Sequence, residues 1–325
     1  VSSADDWRWM GAALALASRG AGLTFPNPSV GCVLVRDGRV IGRGWTQPGG
    51  RPHAEAMALS GALAGVDARG ATAFVTLEPC AHQSPRGPAC ADALVAAGVA
   101  RVVVAAPDPD PRTNGAGVAR LRSAGIAVTE GVRRAEAESQ LAGFLTRLRL
   151  GRPHITLKLA VSLDGAIAMA DGRSRWITSE RARAATHLAR ARCDLLLVGR
   201  GTWDADTPAL DVRLPGLEDR APRKGVLGRG AGLPADVTHF ADLAALAADP
   251  ALTVLAEGGM GLAASLLAAD MVDALWLHRA PILMGGGRTL GNIGLADLAD
   301  AHGRWAAGPV LALAPDRLES FTRIR

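Results

Sequence analysis

The chain has 325 residues, a length that suits two domains. Hydrophobic residues make up 49% and charged residues 21%, the balance of a folded globular protein, which excludes a disordered or collagen-like chain. The formal charge of +5 is scattered, with no basic block dense enough for a nucleic-acid tail, and suits a phosphorylated small molecule as well as DNA or RNA.

In chain order, Trp7, Met10, Ala13, Leu14 and Ala17 fall at helical spacing and predict an amphipathic N-terminal helix. Val30 to Val35 reads as a strand, Asp37-Gly38 as a tight turn and Arg39 to Trp45 as the hairpin partner. A helix is predicted from His53 to about Leu63, and the strand Ala73 to Leu77 delivers the chain to Glu78-Pro79-Cys80. A helix from Cys90 to Ala97, strands Val102 to Ala105 and Ile126 to Glu130, and a helix Ala135 to Arg149 complete the first half. Gly151-Arg152-Pro153 punctuates the chain, so domains of 1–150 and 151–325 are expected. The second half offers a strand His154 to Ala160, a helix Ser179 to Ala191, strands Leu195 to Val198 and Leu252 to Ala256, and a helix Gly261 to Leu267. Segment 220–235, rich in Gly, Arg and Pro, reads as the least structured. The strand–helix alternation predicts an α/β layer fold in both halves.

Four cysteines do not make a disulfide framework in a chain of this size. No basic stretch followed by an apolar core opens the sequence, and no apolar run approaches the ~20 residues of a bilayer span. A cytoplasmic protein without a membrane partner is therefore expected.

The sharpest chemical signal is His53-Ala54-Glu55, then Pro79-Cys80, then Cys90. A catalytic zinc takes three protein ligands and keeps one position open for water. One imidazole and two thiolates leave such a centre formally neutral, which favours ionisation of that water near neutral pH. Glu55, two residues beyond His53, would face the water and carry its proton to a departing amine. Each residue alone has an ordinary structural explanation, His53 as a surface cap and the cysteines as buried packing. Together with the Glu and the Pro they form the His-x-Glu…Pro-Cys signature of zinc deaminases, with a longer interval between the cysteines.

Thr24-Phe25-Pro26-Asn27-Pro28-Ser29-Val30-Gly31, His53-Ala54-Glu55 and Thr76-Leu77-Glu78-Pro79-Cys80-Ala81-His82 resemble the deaminase half of the bifunctional riboflavin-biosynthesis deaminase–reductases. The resemblance implies a cytidine-deaminase-like first domain, one zinc held by His53, Cys80 and Cys90, Glu55 as proton shuttle, and Asn27 and His82 on the substrate. The family's basic loop before the second cysteine is replaced by Ser84-Pro85-Arg86-Gly87-Pro88-Ala89, in which Arg86 is the candidate cation for the substrate.

The run Lys158-Leu159-Ala160-Val161-Ser162-Leu163-Asp164-Gly165 resembles the opening of that family's dihydrofolate-reductase-like reductase domain. Trp176-Ile177-Thr178-Ser179, Val198-Gly199-Arg200-Gly201-Thr202, Ala205-Asp206-Thr207-Pro208-Ala209-Leu210-Asp211-Val212-Arg213 and Glu257-Gly258-Gly259 follow in the family's order. By resemblance, Lys158, Trp176, Thr202, Asp206, Gly258 and Gly259 belong to the NADPH site. Ser179, Arg181, Leu210, Arg213 and Glu257 belong to the substrate, the arginines being suited to its phosphate. One stretch departs from the family: its Val-Leu-Asp strand is replaced by Lys224-Gly225-Val226-Leu227-Gly228-Arg229-Gly230, so a strand–helix unit beside the cofactor is expected to be missing.

The expected function is hydrolytic deamination of 2,5-diamino-6-(5-phosphoribosylamino)pyrimidin-4-one and NADPH-dependent reduction of the ribosyl group of 5-amino-6-(5-phosphoribosylamino)uracil, in a homo-oligomer. The alternative is a zinc deaminase of another nucleotide or of nucleic acid with an accessory second domain. It calls for a basic groove bearing aromatic side chains, and a chain with 4% aromatics and no tyrosine supplies few.

Overall fold

Ser3 caps the first helix, α1 (Ala4–Ala17), in a capping box with Asp6. The Asp6 carboxylate also receives both terminal nitrogens of Arg101, at 2.8 and 3.0 Å. A computed structural model describes residues 3–61, 67–82 and 86–325, and the chain divides into units of Val1–Leu150 and Gly151–Arg325.

In the first unit α1 is followed by β1 (Gly31–Arg36), β2 (Arg39–Trp45), α2 (Ala54–Ser60), β3 (Thr72–Leu77), α3 (Cys90–Ala96), β4 (Arg101–Ala106), α4 (Ala116–Ser123), β5 (Ala127–Glu130), α5 (Arg134–Gln140) and α6 (Ala142–Leu150). The sheet order is β2-β1-β3-β4-β5. Strand β1 runs antiparallel to both β2 and β3, and β3, β4 and β5 run parallel. Strands β3 and β4 are buried along almost their whole length, as expected of strands with both faces covered. Gly44 lets α2 lie against β2, since a Cβ there would stand 2.3 Å from the carbonyl oxygen of Ala54. That contact sets the depth of the helix that begins at His53.

Two sequence expectations change here. The helix expected over 135–149 is interrupted at Leu141, giving α5 and α6. The helix beginning at His53 is described to Ser60, and the rest of its expected span to Leu63 reaches beyond the described residues.

The second unit contains β6 (His154–Val161), α7 (Glu180–Arg190), β7 (Leu195–Gly199), α8 (Arg200–Asp206), β8 (Arg223–Leu227), β9 (Val237–Phe240), α9 (Leu243–Ala248), β10 (Thr253–Glu257), α10 (Met260–Ala268), β11 (Ala274–Arg279), β12 (Trp305–Leu313) and β13 (Asp316–Arg323). The sheet order is β12-β13-β11-β6-β10-β7-β8-β9. It is parallel from β11 to β9, with the hairpin β12–β13 antiparallel at one end. One face packs a core of Ile155, Leu157, Leu159 and Val161 under α10, and the alternate residues of β6 point to the other face.

The glycine-rich segment is a correction. Arg223–Leu227 forms β8, bonded in parallel to β7 and β9, and β9 and α9 lie between it and β10. Val226 is fully buried, and Gly225 sits under Phe240, where a Cβ would be only 2.8 Å from the ring. Glycine here makes room for an aromatic neighbour, so the strand survives without the expected composition.

Candidate functional sites

His53 is the N-cap of α2, Glu55 lies in its first turn, Cys80 follows β3, and Cys90 opens α3. His53 Nδ1 lies 3.2 Å from Cys90 Sγ and 3.7 Å from Cys80 Sγ, and the Cys90 backbone N–H donates to Cys80 Sγ. The three donor atoms lie within 4.8 Å of one another. Metal–ligand bonds of about 2.0–2.3 Å place tetrahedral donors about 3.3–3.8 Å apart, so this set fits a zinc ion. A hydrogen bond from Cys90 pulls the Cys80 thiol down to about 4. The same pairing, with burial, pushes Cys90 up. Two sulfurs alone thus favour one negative charge, and a cation among them would release the second proton.

Glu55 is buried, and burial raises its carboxyl above the usual range. Asn27 Nδ2 donates to the Gly50 carbonyl and stands 3.1 Å from His53 Nε2, steadying the far edge of the imidazole. A cavity of about 270 Å³ is lined by Asn27, His53, Glu55, Cys80, His82 and Arg86. His82 Nδ1 is buried there without a hydrogen-bond partner among the described residues. Arg86 donates to the Gly49 carbonyl at the rim, and residues 83–85 of its loop lie outside the described residues.

Sequence reasoning missed Arg51, Asp108, Asp110 and Arg112, which line the same cavity. Asp108 is raised to about 6 by burial, whereas the fork of Arg112 holds Asp110 below the usual carboxylate range. Their Asp-Pro-Asp-Pro setting reads as a turn, and only the packing of that turn onto the cavity reveals them.

In the second unit, Lys158 pairs in register with Glu257 of β10 and with Trp276 of β11. Glu257 receives Arg190 in a fork of 2.6 and 3.0 Å. Burial opposes its ionisation, but Arg190 and Lys158 outweigh that and hold its carboxyl low. Burial lowers Lys158. Thr202 Oγ1 lies 3.4 Å from where a Cβ of Gly259 would stand, and a Cβ on Gly258 would press on Leu262 at 2.7 Å. The glycine turn therefore packs closely beside Leu262 and Thr202.

The remaining expected residues are less closely gathered. Trp176 is exposed, with Arg183 4.6 Å from its ring centroid. Asp206 pairs with Arg175, Leu210 is buried, and Arg213 pairs with Asp211. Ser179 caps α7, and its backbone N–H donates to Asp316. Arg181 is exposed on α7 and is not brought to Glu257. Arg190, two turns and more along the same helix, stands there instead. His278 of β11 was also missed. It is buried, its Nδ1 lacks a partner among the described residues, and burial with the nearby Lys158 charge lowers it to about 4.

Residues 3–106 match the family model of the cytidine and deoxycytidylate deaminase zinc-binding region, and residues 153–298 match the RibD C-terminal domain. The riboflavin biosynthesis protein RibD of Escherichia coli (strain K12) is 51% identical over 216 residues, which cover 66% of this chain and 58% of that protein. RibD of Mycobacterium tuberculosis (strain H37Rv) is 39% identical over 329 residues, covering 96% of each chain.

The chain belongs to the RibD family.

The structure of a diaminohydroxyphosphoribosylaminopyrimidine deaminase/5-amino-6-(5-phosphoribosylamino)uracil reductase from Thermotoga maritima is similar at a TM-score of 0.88 and 31% identity, over 98% of this chain and 99% of that one. The protein is accordingly a bifunctional enzyme of riboflavin biosynthesis, with a zinc-binding cytidine-deaminase-like half and an NADPH-using reductase half. Family membership favours this function over the nucleic-acid alternative.

Proposed function

We propose that the first unit deaminates 2,5-diamino-6-(5-phosphoribosylamino)pyrimidin-4-one and that the second reduces the ribosyl group of the resulting 5-amino-6-(5-phosphoribosylamino)uracil. The observation that carries the first step is the convergence of His53, Cys80 and Cys90 beside the buried Glu55 in one cavity. His53, Cys80 and Cys90 hold zinc, which supplies Lewis-acid activation of water when bound. Glu55 accepts the proton that the attacking water loses and gives it to the departing exocyclic amine, so ammonia leaves and a carbonyl remains. Its raised pKa suits a group that must both take and return a proton. Asn27 and His82 orient the pyrimidine, and Arg86 faces the phosphate side.

In the second unit NADPH, when bound, would supply hydride for the anomeric carbon. Thr202 and Gly258-Gly259 seat the cofactor, with Trp176 and Asp206 bordering it. Glu257, fixed by Arg190, and Lys158 face the ribosyl group, and Lys158 provides the proton taken up by the ring oxygen as the ring opens. Ser179, Leu210 and Arg213 shape the substrate side, Arg213 and Arg190 supplying positive charge for its phosphate.

The same reading places the enzyme in the cytoplasm, working on a small molecule without a nucleic-acid or membrane partner. No helix among the described residues is long and apolar enough to cross a membrane. Four cysteines without a disulfide suit a reducing compartment. Exposed Val310 and Leu311 on the end strand β12 support homo-oligomerisation, since apolar side chains on a sheet edge invite a partner. Metal analysis of active protein tests the first half of the reading. One zinc per chain, lost together with ammonia release in Cys90→Ser, is expected, and active protein without zinc would contradict it.

A further inference from the structure

After α8 the chain runs without regular structure through segment 207–213. Thr207 and Leu210 take left-handed backbone conformations there, at φ 38° and 50°, which residues with a side chain rarely adopt unless their surroundings hold them. Leu210 and Val212 are buried, whereas Asp211 is half-buried and Arg213 exposed. The segment is thus pinned on its inner side and presents Asp211 and Arg213 on its outer side.

Helix α7 holds that outer side at two points. His187 and Arg190 are three residues apart in α7 and so share one face of it. Arg190 Nη1 donates to the Asp211 carbonyl at 2.9 Å, while Nε and Nη2 hold Glu257. The Arg213 N–H donates to His187 Nδ1 at 3.1 Å. Asp211 Oδ1 lies 3.8 Å from Arg190 and 3.3 Å from Arg213. That second ion pair is internal to the segment, so the hydrogen-bond link from Arg213 to α7 runs through His187. A ring nitrogen accepts only when it carries no proton, and the bond therefore requires a neutral imidazole with its hydrogen on Nε2. Burial lowers the pKa of His187, the charges of Arg190 and Arg213 lower it further, and Glu257 and Asp211 oppose them. The neutral acceptor is the form present at neutral pH.

We propose that His187 is a positioning residue of the reductase: by accepting the Arg213 N–H it sets the end of segment 207–213 against the Arg190–Glu257 pair, and so places the Arg213 guanidinium for the substrate's phosphate. The inference rests on the reading of Arg213 and Glu257 as substrate groups. Because Arg190 bonds both Glu257 and Asp211, the ribosyl side and the phosphate side of the substrate share one frame, of which His187 is the outer anchor. Protonation of Nδ1 turns the acceptor into a donor facing another N–H. It releases the Arg213 end while the Asp211 end stays bonded to Arg190. The effect falls on substrate binding, since His187 acts through the backbone of Arg213.

Steady-state NADPH oxidation by the full chain, with 5-amino-6-(5-phosphoribosylamino)uracil as substrate, tests this in wild type, His187→Ala, His187→Asn and Arg213→Ala. Asparagine offers an oxygen near the place of Nδ1 and does not titrate. At neutral pH, His187→Ala should raise the KM for the substrate about three- to tenfold, the loss of one hydrogen bond. Its kcat and its KM for NADPH should stay within about twofold of wild type, as for a loss of uniform substrate binding. His187→Asn should recover most of the wild-type KM, and Arg213→Ala should raise it at least as far as His187→Ala. As pH falls below the usual histidine range, the wild-type KM should rise more steeply than that of His187→Asn. The variant keeps only the change due to the substrate's own phosphate, whose second ionisation lies at about pH 6. An unchanged substrate KM in His187→Ala, beside a raised one in Arg213→Ala, overturns the proposal and leaves the substrate reading standing. So does an equal rise in both KM values of His187→Ala, or a failure of His187→Asn to restore binding. An unchanged KM in Arg213→Ala overturns the reading of Arg213 as a substrate group and the proposal with it.

Discussion

Glu55 sits two residues beyond the His53 imidazole, and burial raises its carboxyl above the usual range. With the proton-transfer role proposed for it, Glu55→Gln should retain zinc and lose deamination by about 10²–10⁴-fold. Loss of zinc, or near-normal ammonia release, would contradict that assignment. His53, Cys80, Cys90 and Glu55 were legible because the residue types and their order are themselves the chemistry. Arg190 was not, because a basic residue near the end of a helix reads as solvated and favourable to the helix dipole. Its fork with Glu257 depends on β10 lying beside the helix. His278 was hidden for a similar reason, since the sequence does not show which face of β11 is covered. Its folded-state pKa near 4 lies below the ordinary value of 6.5. Between those values the unfolded chain binds the proton and the folded chain does not, so stability from this group is full above pH 6.5 and falls as pH drops toward 4. The pH dependence of the second unit's melting temperature over that window should therefore flatten in His278→Gln, and an unchanged slope would argue against the assignment.

At the scale of elements, the loop after β3 depends on one buried carboxylate. Glu78 accepts from the backbone N–H groups of Asp108, Gly115 and Val118, at 3.3, 3.1 and 3.1 Å. These bonds tie the segment bearing Cys80 to the turn bearing Asp108 and to α4. Glu78→Ala leaves three donors without their acceptor and should cost about 3 kcal/mol or more. Denaturant unfolding measures this, and a change under about 0.5 kcal/mol would show that water replaces the carboxylate at little cost. The strands and helices of the first unit were readable from period and punctuation, because apolar runs such as Val102–Ala105 sit in a sheet covered on both faces. The break at Leu141 was not, since apolar spacing continues through it. Strand β8 was misjudged because its glycine weakens the usual strand composition, although packing under Phe240 gives that glycine a place. The end hairpin β12–β13 went unread because its outer strand is exposed over most of its length and lacks the apolar alternation of a half-buried strand.

At the scale of the whole molecule, the hydrophobic cores are built from separate stretches of chain, one in the first unit from Met10 to Leu145 and two in the second, from Ile155 to Val272 and from Cys193 to Leu255. Each unit has its own sheet, and each sheet carries one candidate site made entirely of residues from its own unit. Gly151-Arg152-Pro153 marked that division in the sequence because it interrupts one strand–helix rhythm before another begins. The consequence is chemical independence: a side chain that moves protons in the first unit has no part in hydride transfer in the second. The most direct test supplies Glu55→Gln protein with the diamino substrate and, separately, with the deaminated intermediate, following ammonia release and NADPH oxidation as independent signals. The account predicts little ammonia from the first and wild-type NADPH oxidation with the second. Loss of NADPH oxidation on the deaminated intermediate, in protein that is folded and holds its zinc, would contradict it.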